Sequence, residues 1–324
     1  MDLTAPQFND EDAARAHLEA VRWPNGPVCP HCHETERRYA LKGTAHRRGL
    51  WKCGACRKQY SVTVGTVFER SKIPLHKWLL ATALLCASKK GMSSHQLHRT
   101  LGVTYKTAWF MSHRIREAMR DPKPGKLGGD GGTFELDETY IGGKKRRPHL
   151  MAASTKRRPD EPKKRRKRWG GTAEDKAKVF ALVDRASGEV RSSHVADITA
   201  DTLRPIIWEN IGPRASIHTD EAAHFNRRTL GRYRRHESVN HSQGEYVRDN
   251  VTTNQIEGYF SILKRGIYGI YQHVSREHLS RYLGEFDFRY SNREAEDAVR
   301  ADAALRGIGG KRLLYRPALQ GKAR

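Results

Sequence analysis

No stretch of this sequence approaches the roughly 18–20 consecutive apolar residues that a membrane-spanning helix needs. Apolar residues make up only 37% of the 324 positions. The first residues, Met1-Asp2-Leu3-Thr4-Ala5-Pro6, hold no charged segment followed by an apolar one, so no secretory signal is expected. Acids are scarce beside bases: 36 Asp and Glu face 60 Lys and Arg, a formal net charge of +24. That excess speaks about partners rather than fold. Nucleic acid is the first candidate, because neutralising phosphates with Lys and Arg drives non-specific binding. An anionic membrane surface is the alternative, but no basic amphipathic helix stands out. Cysteine is scarce too, with five in all. Four fall into two close pairs and one is isolated. Without an export signal, this favours metal ligation in a reducing cytosol over a disulfide framework. The length allows two or three domains, each with its own core.

The cysteine pairs are Cys29-Pro30-His31-Cys32 and Cys53-Gly54-Ala55-Cys56, two knuckles 20 residues apart. This is the spacing of a four-thiolate structural Zn2+ site, in which soft ligands converge from two turns. Gly54 is expected to supply the tight backbone of the second knuckle. With the strand-like Gln59–Val64, residues 1–70 read as an N-terminal helix, capped near Asn9 or Asp10, and a zinc ribbon. Such a ribbon binds DNA, binds protein, or simply holds the region together. Cys86 reads as a core thiol.

Residues 71–121 read as three helices. The first starts at Pro74. A short one starts at Ser93 or Ser94, and the third follows a Gly102-Val103-Thr104 turn and reaches Met119. This is helix-turn-helix spacing. On the candidate recognition helix, Tyr105, Lys106, Arg114 and Arg116 are the expected DNA contacts. Residues 122–132, rich in glycine and proline, form a linker.

Residues 133–293 read as one α/β domain. The octapeptide Phe134-Glu135-Leu136-Asp137-Glu138-Thr139-Tyr140-Ile141 is a strand with a carboxylate, Asp137, at its centre. A basic insertion, 144–170, carries Lys163, Lys164, Arg165 and Arg166, a run that often contacts phosphates. A hairpin follows, then a helix capped by Thr199, a short strand ending at Asp220, a helix over 222–230, and two closing helices. Residues 294–324 are expected to be a basic tail of low order.

Three acids follow in order. Asp137 lies within a strand, Asp220 at the end of another, and Glu257 on a helix. Strand C-termini form the usual active-site edge of an α/β sheet. Two aspartates and a third carboxylate can hold two Mg2+ ions for phosphodiester chemistry, and Mg2+ takes hard oxygen ligands. Lys264 follows Glu257 by two helical turns and Asn254 precedes it by one, so all three share a face. Lys264 could hold a phosphate near the metals. Glu138 is expected on the opposite face of the strand from Asp137.

These segments resemble the zinc-ribbon insertion-sequence transposases with an ISXO-like catalytic domain, a group related to the eukaryotic Merlin elements. The matching runs are the ribbon opening, Glu135–Lys144, Ile217-His218-Thr219-Asp220, and Asn254 through Tyr268. His273-Val274-Ser275 and Phe288 through Asn292 also match. The resemblance implies an RNase H-like catalytic domain, a mixed sheet with flanking helices, with Asp137 and Asp220 as metal-binding aspartates. The third position in this group is Asn or Glu followed by Lys. Glu257 keeps the seven-residue step to Lys264, and Asn254 is its rival. The implied activity is DDE-type: Mg2+-dependent (or Mn2+-dependent) strand cleavage, then strand transfer. The implied partners are the element's terminal inverted repeats, target DNA and further copies of the chain. A DNA-binding regulator without chemistry, or a nuclease of the same fold, is the alternative.

Overall fold

The computed structural model describes residues 2–120, 125–128, 131–142, 176–245 and 247–314. Most of the basic insertion, including Lys163, Lys164, Arg165 and Arg166, lies outside the described residues, as do parts of the linker and residues 315–324.

The N-terminal half begins with α1 (Glu11–Arg22), capped by Asp10, whose carboxylate accepts the Ala13 N–H at 2.7 Å. Three short strands follow: β1 (Arg38–Ala40), β2 (Trp51–Cys53) and β3 (Gln59–Tyr60), paired antiparallel in that order. Then come α2 (Leu75–Ala87), α3 (Ser94–Leu101) and α4 (Tyr105–Met119). Ser93 and Thr104 cap α3 and α4 through their hydroxyls, and Gly102 between them has φ +61°, where a β-carbon is costly. α2 is apolar around most of its circumference: Leu75, Trp78, Leu79, Leu85 and Cys86 are all buried. Burial pushes the Cys86 thiol up to about 12, as befits an unreactive core residue.

The described part of the tail expected from residue 294 instead holds a packed helix. α9 (Asp297–Arg306) lies against α2 and α1, and buries Ala301, Ala304 and Leu305 together with Ile308. Its buried face is mostly alanine, which gives a weak hydrophobic signal in sequence. The ribbon, the three helices and α9 share one core, running from Phe8 and Leu18 through Tyr60 and Trp78 to Ile115 and Ala304. Residue 70 therefore does not divide two cores.

The second half is built on a five-stranded sheet. Its strands are β4 (Thr133–Ile141), β5 (Ala177–Asp184), β6 (Val190–Val195), β7 (Ser216–Thr219) and β8 (Arg235–Ser238), in spatial order β6-β5-β4-β7-β8. β4, β5 and β6 are antiparallel neighbours, while β7 and β8 run parallel to β4. The helices are α5 (Ala200–Asn210), the short α6 (Arg227–Leu230), α7 (Asn254–Gly266) and α8 (Arg276–Ser291). A small hairpin, β9 (Val247–Arg248) and β10 (Val251–Thr252), leads into α7. The helix expected over 222–230 shrinks to α6 because Asn226 accepts the N–H groups of Arg228 and Thr229 and starts the helix there.

Alternation along β4 and β5 sorts their side chains. Phe134, Leu136, Phe180 and Leu182 pack with Leu203, Ile207 and Phe225 on one face. Val179, Ala181 and Val183 pack with Ile256, Tyr259, Phe260 and Leu263 of α7, and with Leu283 and Phe286 of α8, on the other.

The two halves meet where α4 crosses α8. Arg116 is 1% exposed and pairs with the fully buried Glu285 at 2.5 Å. Arg289 pairs with the same carboxylate, and the Tyr271 hydroxyl donates to it at 2.6 Å. The Arg116 guanidinium also lies 3.9 Å from the centre of the Tyr282 ring. Arg114 donates to the Glu69 carbonyl at 2.6 Å and packs over Trp78 and Phe110. The expectation that Arg114 and Arg116 face DNA is therefore corrected. From Met111 to Arg116 every residue of α4 is buried, because α2, α9 and α8 surround the helix. Only its first turn is open, with Tyr105 and Lys106 exposed and Tyr105 stacked on His95 at 4.3 Å.

Candidate active site and metal centres

Asp137 stands at the centre of β4, on the face that packs against α7. The parallel pairing of β4 with β7 runs Thr133 to Ser216, Phe134 to Ile217 and Glu135 to His218. Continued by two residues, the register sets Asp137 beside Asp220, which follows the last residue of β7. Adjacent strands lie about 4.8 Å apart, so two carboxylates enter the site from neighbouring backbones. Asp220 is held by a local turn in which its Oδ1 accepts the Ala222 N–H at 3.0 Å. α7 brings the third acid over the same face: Ile256, Tyr259, Phe260 and Leu263 are buried against the sheet, while Asn254, Glu257 and Lys264 stay exposed.

Glu257 is oriented at its base. Its Oε1 accepts the Thr253 hydroxyl at 2.9 Å, with His241 Nε2 at 3.7 Å. Asn254 opens the helix with its N–H on the Thr252 hydroxyl at 3.2 Å. Lys264, on the last turn, has no ion-pair partner among the described residues.

The electrostatics are one-sided. Burial, followed by the charges of Glu138, Asp220 and Glu257, pushes the Asp137 carboxyl up to about 8; the Glu138 N–H, 2.7 Å from Oδ1, opposes this. Negative charge is thus gathered around Asp137, and no cation stands among the main influences on it from the described residues. Carboxylate oxygens are the donors that hard divalent ions take, so this edge suits Mg2+ or Mn2+ in chemistry and in charge. The three acids are not drawn onto a single point. Among the described residues, the cysteine quartet is the one group of three or more metal-ligating residues whose donor atoms all lie within 4.8 Å of one another.

Two further acids of β4 flank Asp137 without being singled out by spacing. Glu138 does face away from Asp137, toward the Phe180 side, where its Oε2 lies 3.0 Å from His224 Nε2 in the loop after Asp220. Glu135 is completely buried, and one oxygen accepts the backbone N–H groups of Gln255 and Ile256 at 2.9 and 3.0 Å. Its other oxygen faces Arg185 Nε at 3.4 Å. The sequence shows both as ordinary strand-flanking acids, and only the register of β4 gives them these partners.

In the ribbon, Cys29 and Cys56 lie 3.7 Å apart through sulfur, and Cys32 and Cys53 3.5 Å. Four thiolates at about 2.3 Å around a tetrahedral ion stand roughly 3.8 Å from one another, so the quartet fits Zn2+. The Cys56 N–H at 3.5 Å leads the effects that lower the Cys53 thiol to about 7, which favours the ligating thiolate. Gly54 lies in the turn of the second knuckle, as expected, but not at a left-handed position. The left-handed positions are His33 (φ 61°) and Arg57 (φ 60°), each following the second cysteine of its knuckle. Gly54 is required for another reason: a β-carbon there would stand 2.8 Å from that of Arg37, whose carbonyl accepts the Gly54 N–H at 2.6 Å.

Known proteins share both parts. Residues 9–59 match the transposase zinc-ribbon domain, and residues 129–291 match the ISXO2-like transposase domain. A protein described as an uncharacterized protein in transposable element ISH50, from Halobacterium salinarum, is 30% identical over 283 residues, 87% of this chain and 91% of that one. An uncharacterized transposase-like protein of Haemophilus influenzae is 25% identical over 124 residues, 38% of this chain and 89% of that one. A chain of the simian T-cell lymphotropic virus intasome, solved with PP2A regulatory subunit B56 gamma, gives a TM-score of 0.29 at 16% identity, over 59% of this chain and 63% of that one. So remote a likeness adds nothing to the case. None of the described helices is long and apolar enough to cross a membrane. With one family model over half its length and a relative 30% identical along most of it, the chain belongs to the ISXO2-like transposases.

Proposed function

We propose that this chain is a DDE-type DNA transposase. It binds the terminal inverted repeats of its element, cuts them by phosphodiester hydrolysis, and directs the freed 3′-hydroxyl at target DNA. The observation that supports the proposal is the parallel pairing of β4 with β7, which, continued two residues past its last pair, would bring Asp137 level with Asp220 on the face covered by α7. The sheet order, three antiparallel strands and then two parallel ones, supports an RNase H-like catalytic core.

Asp137, Asp220 and Glu257 would hold the metal. Bound Mg2+ or Mn2+ would supply Lewis-acid activation of the attacking oxygen and stabilise charge on the leaving one. Both hydrolysis and strand transfer are in-line displacements at phosphorus, so one site serves both. Lys264, exposed at the far end of α7, would hold a DNA phosphate. Asn254 would orient Glu257 from the preceding turn. Tyr105 and Lys106, at the open N-terminal turn of α4, would read the element end in a helix-turn-helix arrangement. Lys163, Lys164, Arg165 and Arg166 would add phosphate contacts. Zn2+ on Cys29, Cys32, Cys53 and Cys56 would be structural. Pairing two element ends calls for more than one copy, and the site of action would be chromosomal DNA in the cytosol.

The test is strand transfer of the element's own ends with Mg2+. Asp137→Asn and Asp220→Asn should each abolish it while leaving end binding intact. If transfer survives both changes, the catalytic assignment fails. If the unaltered chain binds ends but neither cuts nor joins them, it is a DNA-binding regulator. Cutting without covalent joining to a second DNA would mark a nuclease.

A further inference from the structure

A helix begins with N–H groups that have no partner in the helix, and a local side chain usually caps them. α7 departs from this. The residue before it, Thr253, makes no capping bond, and its hydroxyl is used on Glu257 instead. The N–H groups of Gln255 and Ile256 go to Glu135, a carboxylate 120 residues away in sequence. Glu135 is 0% exposed and sits on β4 two residues before Asp137, on the same face.

The connection is reinforced on both sides. Arg185 holds the second oxygen of Glu135 at 3.4 Å and donates to the Asn250 carbonyl, in the turn between β9 and β10, at 2.5 Å. The Gln255 side chain donates to the Arg185 carbonyl at 3.3 Å, and the Tyr290 hydroxyl donates to the Gln255 carbonyl at 2.9 Å. The first turn of α7 is therefore fastened to the sheet beside Asp137, and Glu257 is carried at the end of that same turn. A charged carboxylate at a helix N-terminus also favours the helix electrostatically.

We infer that Glu135 is a positioning residue: by capping α7 from within the sheet, it sets where Glu257 stands relative to Asp137 and Asp220. The inference rests on the metal-binding role proposed for those acids. Outer groups that hold ligands in place typically change metal affinity by about 10–100-fold when removed.

The test compares zinc-loaded full-length protein with Glu135→Ala and Glu135→Gln. Three quantities are read: hydrogen exchange of the 251–263 segment without added metal, Mn2+ binding by electron paramagnetic resonance, and affinity for DNA ends. Glu135→Ala should speed exchange at the first turn of α7 and weaken Mn2+ binding about tenfold or more, with end binding within about twofold. Glu135→Gln keeps an acceptor oxygen and should fall between, and it stands in for the alanine variant if that one does not fold. Unchanged Mn2+ affinity in the variants, whatever happens to exchange, would overturn the positioning role. Absence of Mn2+ binding by the unaltered protein would instead overturn the metal site on which the inference rests, and the inference with it.

Discussion

Two carboxylates in this molecule, one fully buried and one half-buried, are treated in opposite ways. Glu285, in the joint between α4 and α8, is fully buried, and burial alone would raise it. Arg289 and Arg116 nevertheless pull it down to about 2. Asp137, on β4, is pushed up to about 8 by burial and by its acidic neighbours. The first charge is met by partners supplied within the chain, and it locks two halves together. The second has no ion-pair partner among the described residues, and acids lead the charges that act on it. A carboxyl held so far above its ordinary range is one whose charged form the fold disfavours, so its location marks a place where a cation is expected to bind.

Removing each carboxylate should therefore have opposite consequences. Glu285→Ala leaves Arg116 and Arg289 buried without a counter-charge. A loss of about 3–5 kcal/mol is expected in urea denaturation, enough to threaten folding. A small loss would mean that water or other groups already satisfy the joint. Asp137→Asn should stabilise the metal-free protein instead, by about 2 kcal/mol at pH 9. The sign follows from linkage. A carboxyl raised from 3.8 to about 8 contributes its stability in full below about pH 3.8 and loses it as pH climbs toward 8. The stabilising effect of Asp137→Asn should thus shrink toward zero as pH falls to 4. Denaturation midpoints across that range check it, and a pH-independent difference would break the contrast.

A third, smaller effect lies within the joint. His113 is buried against Trp109, His278 and Tyr282, and burial followed by the Arg116 charge lowers it from 6.5 to about 3. Such a histidine contributes stability above pH 6.5 that is lost as pH falls toward 3. His113→Leu should make the acid slope of stability shallower, by up to about 1.4 kcal/mol per pH unit. An unchanged slope would mean that the joint is not what acid attacks.

Much of this was open to reading in the sequence, for local reasons. Asp10, Ser93, Thr104 and Thr199 cap helices where their spacing says they should, because a cap needs only three neighbouring residues. The cysteine spacing encloses its own metal site. Asp137 and Asp220 stood out as a carboxylate in mid-strand and one at a strand end. What could not be read depends on contacts far apart in the chain. Arg114 and Arg116 look like a DNA-facing stripe until α8 and α9 cover them. Glu135 looks like a solvated edge charge until α7 returns to it 120 residues later. Gly54 reads as a turn residue and lies in a turn, but the close approach of Arg37 that also calls for glycine there comes from a distant segment.

The most direct test of the central claim is Mn2+ binding to zinc-loaded protein and to its Asp137→Asn variant across pH 6–9, followed by electron paramagnetic resonance. A cation that displaces the proton from a carboxyl near pH 8 should bind more tightly as pH rises and level off above 8. The variant should lose this binding while keeping its zinc. Equal Mn2+ affinity in the two proteins, or binding indifferent to pH, would contradict the account.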